Sequence, residues 1–552
     1  MMRNVHGNKT RFLPRLGALS LSVMLFSGMA SGAGAATEDS SDTAAAKGNP
    51  QTGIQQITIN GQQRYQEIDG FGASGAWSID HIGSEWSEKN KNKVADLLFS
   101  QDKGIGLSIW RFNIGAGSVD TDQDMISDPW RRAESFKSGE DKPYDWSKQA
   151  GQQWFLQAAQ KRGVEETVAF VNSPPVWMTK NGHGQPDPSV GSTNLKEDYI
   201  DDYAVFLADV MEHFHKQKLG FDYISPINEP TWDWNRAGQE GNRYNIEDIK
   251  KVLIALDKEL HKRGIDTEVD AIEAVEYLSL LDNDMYATYT GKAGSTYTSG
   301  NAGGAFEGKY SEYIKEMLGD PQIAGIIGNK MSAHSYWSDE AKPGDDRLVR
   351  LRELVRENLN RYVQDAKFWM SEYCILGDRG PGRDLTMDTA LDVAKVIHYD
   401  MVTTQASAWQ WWLAVSKEDY KDGLVYTDYK NPGDTQSIIE SKTLWALGNY
   451  SKFVRPGAQR IDLQGANDPN GLMGSAYYHD GDKQLSVVFV NSSNEAKTIH
   501  LDVTNLPGGK DVKQFKPYLT SDHADLKKQS TVSVKKDITI PARSLMTLVG
   551  KN

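Results

Sequence analysis

Tyr223-Ile224-Ser225-Pro226-Ile227-Asn228-Glu229-Pro230 is the stretch on which the fold turns. It is an apolar strand that ends abruptly in Asn-Glu-Pro, and proline, lacking an N–H, stops the ladder at once. A carboxylate is thereby placed at a strand end where water is scarce. On either side lie amphipathic helical patterns, at residues 198–217 and 245–263. The first shows its apolar period clearly in Ile200, Tyr203, Phe206, Leu207, Val210 and Phe214.

The same unit recurs along the chain. Strands are expected at 68–74, 105–114, 166–172, 222–228, 267–273, 325–335, 367–373 and 405–412. Helices are expected near 87–100, 147–162, 198–217, 245–263, 308–318, 346–363, 386–402 and 436–448. Eight such units without a Gly-rich nucleotide turn predict a closed (β/α)8 barrel rather than an open doubly wound sheet. Gly104-Ile105-Gly106 precedes its strand, so it is no dinucleotide fingerprint. From residue 451 the helical period is lost, and runs such as Leu485 to Val490 and Leu545 to Val549 alternate between Asn, Gly and Pro turns. That texture reads as an antiparallel β-sandwich. The strands at 54–70 cannot bury themselves alone and are expected to join it. The predicted fold is an α/β (β/α)8 TIM barrel, residues 71–450. Its side β-sandwich combines residues 451–552 with the N-terminal strands, residues 54–70.

Ahead of this fold, Arg3, Lys9, Arg11 and Arg15 lead into an apolar run from Leu16 to Met29 and then Ala33-Gly34-Ala35-Ala36. This order predicts a secretory signal peptide over residues 1–36, cleaved near Ala35 or Ala36, and a secreted, extracellular protein. Residues 37–53 read as a solvated linker. No later stretch is apolar for long enough to span a bilayer, so no membrane association is expected after cleavage. The chain carries 61 basic against 75 acidic residues, and the resulting charge of −14 argues against a nucleic-acid partner. Cys374 is the sole cysteine, which excludes an internal disulfide and a multi-cysteine zinc site; it is expected to be a small buried side chain. The acidic run Asp120, Asp122, Asp124 and Asp128 lacks the glycine and terminal glutamate of an EF-hand, so a solvated loop is expected. The Gly-, Thr- and Ser-rich residues 281–307 are expected to form a long rim loop. No metal and no cofactor is implied, and the protein is expected to act as a monomer.

Barrel active sites form at the C-terminal ends of the strands. Besides Glu229, strand seven, Phe368-Trp369-Met370-Ser371-Glu372-Tyr373, ends in a glutamate. Carboxylates ending strands four and seven would face one another across the mouth, the pair that glycosidic hydrolysis needs. Glu229, among apolar and aromatic neighbours, is the expected proton donor, and Glu372 the nucleophile, served by donors such as Arg111 and Tyr336. Sugar rings present apolar faces that flat aromatics bind well. The candidates are Trp77 after strand one, Trp177 after strand three, and Trp409 and Trp411, which alternation places on one face of strand eight, expected inward.

The ordered motifs Gly70-Phe71-Gly72-Ala73-Ser74, Trp110-Arg111-Phe112-Asn113, Asn172-Ser173-Pro174-Pro175, Asn228-Glu229-Pro230, His334-Ser335-Tyr336, Ser371-Glu372-Tyr373 and Ser441 to Ser451 resemble glycoside hydrolase family 30. The resemblance implies a retaining double displacement, with Glu372 forming a glycosyl ester and Glu229 acting first as acid and then as base. It also implies that Asn228 holds the 2-hydroxyl, that Arg111 bonds the nucleophile, and that His334, Tyr336 and Asn172 line the same subsite. Members acting on β-glucosides usually carry Thr-Asp where this chain has Gly75-Ala76-Trp77. Trp409-Gln410-Trp411-Trp412 looks more like the branch that cleaves β-1,6-galactan. An endo-β-1,6-galactanase acting on polysaccharide or oligosaccharide is the first expectation. A (glucurono)xylanase or another β-glycosidase of the family is the alternative, and a non-catalytic carbohydrate-binding protein is the alternative of another class.

Overall fold

The computed structural model describes residues 53–186, 192–234, 238–293, 308–339, 346–376, 380–428, 431–509 and 511–552. The expected leader, and the expected linker up to residue 52, lie outside the described residues. After a long N-terminal strand β1 (Gln55–Glu67), the barrel staves follow in chain order: β2 (Gly70–Ser74), β3 (Ile109–Asn113), β4 (Glu166–Phe170) and β5 (Tyr223–Ser225). The fifth stave is broken into β6 (Glu268–Val269) and β7 (Ile272–Ala274); β8 (Lys330–His334), β9 (Lys367–Glu372) and β10 (Ala408–Ser416) complete the set. All neighbouring staves pair in parallel, and β10 returns to β2, so the sheet closes through the broken stave. Beyond β10, β11 (Gly423–Tyr426) and β12 (Ile439–Glu440) extend its outer end.

The inner floor is an apolar layer of Ile109, Val168, Trp369 and Ala408, with Tyr223 packed against it. Lys330 closes that layer, its ammonium 3.5 Å from the Trp369 ring and 3.2 Å from Asp270. Fully burying side chains of this size contributes about 1.5–3 kcal/mol each and keeps water out from below. Ala408 facing inward fixes the phase of β10, so Gln410 shares its face and Trp409 and Trp411 do not. The expectation that Trp409 and Trp411 face inward is corrected. The Trp409 indole N–H donates to Asp400 in the helical layer at 3.0 Å, and that of Trp411 to the Asp422 carbonyl at 2.7 Å.

Three register irregularities sit at the mouth, between Ile272 and Ala274, between Ala333 and His334 opposite Ser371 and Glu372, and between Trp411 and Leu413. Each inserts one extra residue, and bulges re-aim side chains in this manner. The helices follow their caps. Ser87 accepts from Asn90 N–H ahead of Glu88–Phe99, and Asn245 from Asp248 N–H ahead of Ile246–Arg263. Helix Ile200–Lys216 buries Tyr203, Phe206, Leu207, Val210 and Phe214 as its period predicts. Helices Ser78–Glu85 and Ala150–Lys161 cross so closely that a Cβ on Gly151 would lie 1.7 Å from the Asp80 carbonyl. The Asp80 carboxylate accepts from the Gly151 and Gln152 amides, capping the second helix from the first. This contact fixes the Gly75-Ala76-Trp77 turn between β2 and its helix.

Two expected elements are displaced. Residues 325–329 are not strand: Asp320 caps a helix, Pro321–Ile326, and β8 begins only at Lys330. The expected helix at 436–448 starts at Lys442, where Ser441 provides the cap, and runs to Ser451. Residues 283–290 of the expected rim loop form a helix, Asn283–Thr290, and residues 294–307 lie outside the described residues.

The sandwich continues with β13 (Ala458–Gln464), β14 (Leu472–His479), β15 (Gln484–Asn491), β16 (Lys497–Thr504), β17 (Gln514–Ser521), β18 (Ala524–Lys528), β19 (Val532–Ser533), β20 (Ile538–Ile540) and β21 (Ser544–Lys551). β1 lies between β13 and β16, joining the N-terminal segment to the C-terminal sheet as expected. Its Ile57 and Ile59 enter a core with Val487, Phe489, Leu501 and Leu548. The opposite faces of β15 and β21 present Val488, Val490 and Leu545 to the barrel's core. Asn449 seals the join, donating to Thr520 Oγ1 at 2.6 Å while its carbonyl accepts from Thr547. Among the described residues no helix is long and apolar enough to cross a membrane.

Candidate active site

Glu229 stands just beyond β5 with a left-handed backbone (φ 44°), a conformation that side-chain-bearing residues rarely adopt. Its N–H donates to the Glu273 carbonyl at 2.9 Å, which holds the turn. The Glu229 carboxyl meets His334 Nδ1 at 2.9 Å. Glu372, at the end of β9, accepts from Arg111 Nη1 at 3.0 Å and from the Tyr336 hydroxyl at 2.8 Å. One carboxylate oxygen each of Glu229 and Glu372, with a nitrogen of His334, lie within 4.8 Å of one another. The pair predicted across the mouth is therefore brought together.

A third glutamate completes the site. Glu273, the bulged residue of β7 (φ 59°), is fully buried. It accepts from Arg111 Nη2 at 3.3 Å, from His334 Nε2 at 2.9 Å, and from the Ser371 hydroxyl. The signal that would have found it was the one used for the other two: stave five, Val269-Asp270-Ala271-Ile272-Glu273, also ends in a glutamate.

Burial raises the Glu229 carboxyl above its ordinary range; His334 pulls against this, and the charges of Glu372 and Glu273 add to it. Burial alone would also raise Glu273, but Arg111, His334 and Ser371 more than offset it and hold the carboxylate at about 2. For His334 burial opposes the charged form, yet Glu372, Glu229 and Glu273 raise the imidazole to about 10. It is therefore an imidazolium donating from both nitrogens. The close grouping of Glu229, His334 and Glu372 places a proton donor and its acceptors within reach of one another. Burial pushes the Tyr336 phenol well up, keeping its proton on oxygen.

The other expected residues divide. Asn228 donates to Asn172 Oδ1 at 3.1 Å, and Asn172 in turn to Asn113 Oδ1 at 3.1 Å, a buried amide chain beside Glu229. The Asn228 Oδ1 atom is buried without a protein partner, an acceptor aimed at whatever enters. Trp77 meets Trp412 edge to face at 5.4 Å, and Trp412 approaches Phe170 at 6.4 Å. Arg111 lies 4.3 Å over that same Phe170 ring, which connects the tryptophan pair to the carboxylates. Trp412, not Trp409 or Trp411, is thus the strand-eight tryptophan at the mouth. Trp177 packs aside from it, its indole donating to the Lys137 carbonyl and its ring against Tyr199. Trp232, next to Glu229 in the chain, stacks on Trp337 at 5.6 Å. Cys374 is buried, 3.9 Å from the Tyr336 hydroxyl.

The acidic run at 120–128 is not wholly solvated. Asp122 is fully buried, accepting from Gly184 N–H and contacting His183 Nδ1, both at 2.8 Å. Nearby Glu240, also fully buried, accepts from the Ala116 and Ser118 amides, and burial raises it to about 7. These acids bind the loops after β3, β4 and β5 to one another.

A barrel with paired glutamates ending staves four and seven, one whose proton affinity is raised by burial and one ion-paired, has the site of an enzyme that hydrolyses glycosidic bonds. Residues 54–426 match the pattern of O-glycosyl hydrolase family 30, and residues 457–548 that of the glycosyl hydrolase family 30 beta sandwich domain. The chain belongs to glycoside hydrolase family 30. It is 24% identical over 473 residues to an endo-beta-1,6-galactanase of Hypocrea rufa, covering 81% of this chain and 83% of the relative. A conserved exported protein from Bacteroides fragilis shares its structure at a TM-score of 0.77 and 32% identity, over 90% of this chain and all of that one. The catalytic domain of a family 30 xylanase C from Talaromyces cellulolyticus superposes at a TM-score of 0.66 and 20% identity, over 90% and 100% of the two chains.

Proposed function

We propose that the protein is a secreted, retaining endo-β-1,6-galactanase. The observation that carries the retaining chemistry is the approach of Glu229 and Glu372 to within 4.8 Å, each in a different environment. Retaining enzymes hold their carboxyl groups ~5–5.5 Å apart, whereas inverting ones need ~6.5–9.5 Å to admit water. In the first step Glu372 attacks the anomeric carbon while Glu229 gives its proton to the leaving oxygen. In the second step Glu229 takes a proton from water, which displaces the Glu372 ester. Arg111 and Tyr336 are fixed donors that hold Glu372 for attack, and the Asn228 Oδ1 acceptor interacts more favourably as oxocarbenium charge develops on the sugar.

Galactan is favoured over glucuronoxylan by the cations around the segment that follows stave eight. Lys417 is paired with Asp128, Lys421 donates to the Gly380 and Gly382 carbonyls, and Arg383 to those of Lys417, Glu418 and Thr427. Side chains held in this way do not favour capture of a glucuronate. The similarity to a galactanase along most of the chain supports the same reading. Incubation with β-1,6-galactan, glucuronoxylan and β-1,6-glucan, followed by sizing of products, tests it. Rapid fragmentation of galactan into short oligosaccharides is expected. Cleavage of xylan alone would refute the substrate, and binding without any cleavage would make this a carbohydrate-binding protein.

A further inference from the structure

We infer that Glu273 is a positioning residue that keeps the proton on Glu229, acting through His334 and Arg111. The inference rests on Glu229 being the acid and base of the proposed reaction.

The argument is one of charge and geometry. Arg111 reaches Glu372 with one terminal nitrogen and Glu273 with the other. His334 likewise reaches Glu229 with Nδ1 and Glu273 with Nε2. Glu273 thus anchors both cations from a fully buried position, while Glu372 meets them from the other side, at 3.0 Å from Arg111 and 3.5 Å from His334. Ser371 donates to Glu273 as well, and the Glu273 backbone carbonyl fixes the Glu229 amide. Below it lie Asp270 and Lys330, paired with one another at 3.2 Å. With Glu229 protonated, the buried set holds two cations, Arg111 and His334, against two anions, Glu273 and Glu372. This is the neutral state in which the first step begins. Ionising Glu229 adds an uncompensated buried anion. Removing the Glu273 charge would reverse the balance, leaving one cation in excess and making the ionised form of Glu229 the compensated one. The same removal frees the Nε2–H of His334 from its anion and favours loss of the imidazolium proton. Both effects lower the proton affinity of the coupled Glu229–His334 pair, and it is the pair's titration that the alkaline limb reports.

The test is the pH profile of kcat/KM for Glu273→Gln, Glu273→Asp and the unmodified enzyme, on β-1,6-galactan and on an aryl β-galactoside. In Glu273→Gln the alkaline limb is expected to move down by about one pH unit or more, the size of one buried charge removed from such a site. Glu273→Asp, which draws the carboxylate back without removing it, is expected to move the limb the same way by less. A purely structural role would lower activity equally at all pH and leave the limb in place, which would overturn the proposal. If the glutamine variant does not fold, the aspartate variant carries the test; failure of both to fold would assign Glu273 to stability alone. If the unmodified enzyme itself shows no alkaline limb, the Glu229 assignment has failed, and this outcome is separable from a limb that is present but immobile.

Discussion

Tyr336→Phe isolates one contact at the nucleophile. The substitution deletes a single oxygen, the donor 2.8 Å from Glu372 Oε1, and leaves the ring in place. That ring is held by His334 at 5.7 Å, Trp337 at 6.1 Å and Tyr373 at 6.2 Å, so the fold has little reason to move. A hydrogen bond to a charged group is worth about 1.5–3 kcal/mol, and its loss is expected to lower kcat/KM about ten- to a hundredfold. The alkaline limb belongs to the protonated acid and is expected to stay. The assay is a full pH profile on β-1,6-galactan, with thermal unfolding measured in parallel. Undiminished kcat/KM in a fully folded variant would refute the role of the Tyr336 hydroxyl at the nucleophile.

Glu229→Ala should still be glycosylated by substrates with good leaving groups, and azide should restore its turnover; without rescue, the acid/base assignment fails. The phase of β10 is checked by a pair of variants: Trp412→Ala should raise KM tenfold or more, and Trp409→Phe should leave KM alone while lowering stability by about 1–3 kcal/mol, because Asp400 loses a buried donor. A KM effect at Trp409 would contradict that assignment. His398, on the helix facing the sandwich, meets Asn467 Oδ1 at 3.1 Å, and burial lowers its imidazole from 6.5 to about 4. Between those values the unfolded chain takes up a proton that the folded one refuses, so stability is lost as pH falls from 6.5 to 4, by up to about 3 kcal/mol. His398→Gln should flatten that stretch of the thermal-unfolding curve, and an unchanged slope would exclude His398 as its source.

The barrel was legible because its staves and helices follow different periods and its helices carry capping residues. Glu229 and Glu372 were legible because an acid ending an apolar strand is conspicuous. What escaped depends on departures from period two. Glu273, Ser371 and Trp412 each sit at a register irregularity, where alternation counted from the strand start gives no reliable face. Trp409 and Trp411 were given the wrong face because the phase of β10 is set by Ala408 against Trp369, a long-range packing choice. Asp122 reads as one acid in a polar run, and only the tertiary approach of the 183–184 segment buries it.

Two carboxylates close enough for one to form an ester at the anomeric carbon leave its configuration unchanged, because two inversions occur in sequence. Proton NMR of the reducing ends released in the first minutes from β-1,6-galactan reads this before mutarotation obscures it. The β-anomer is predicted to appear first, with the α-anomer growing in later. Initial release of the α-anomer would mean a single displacement, and would contradict Glu372 as a nucleophile.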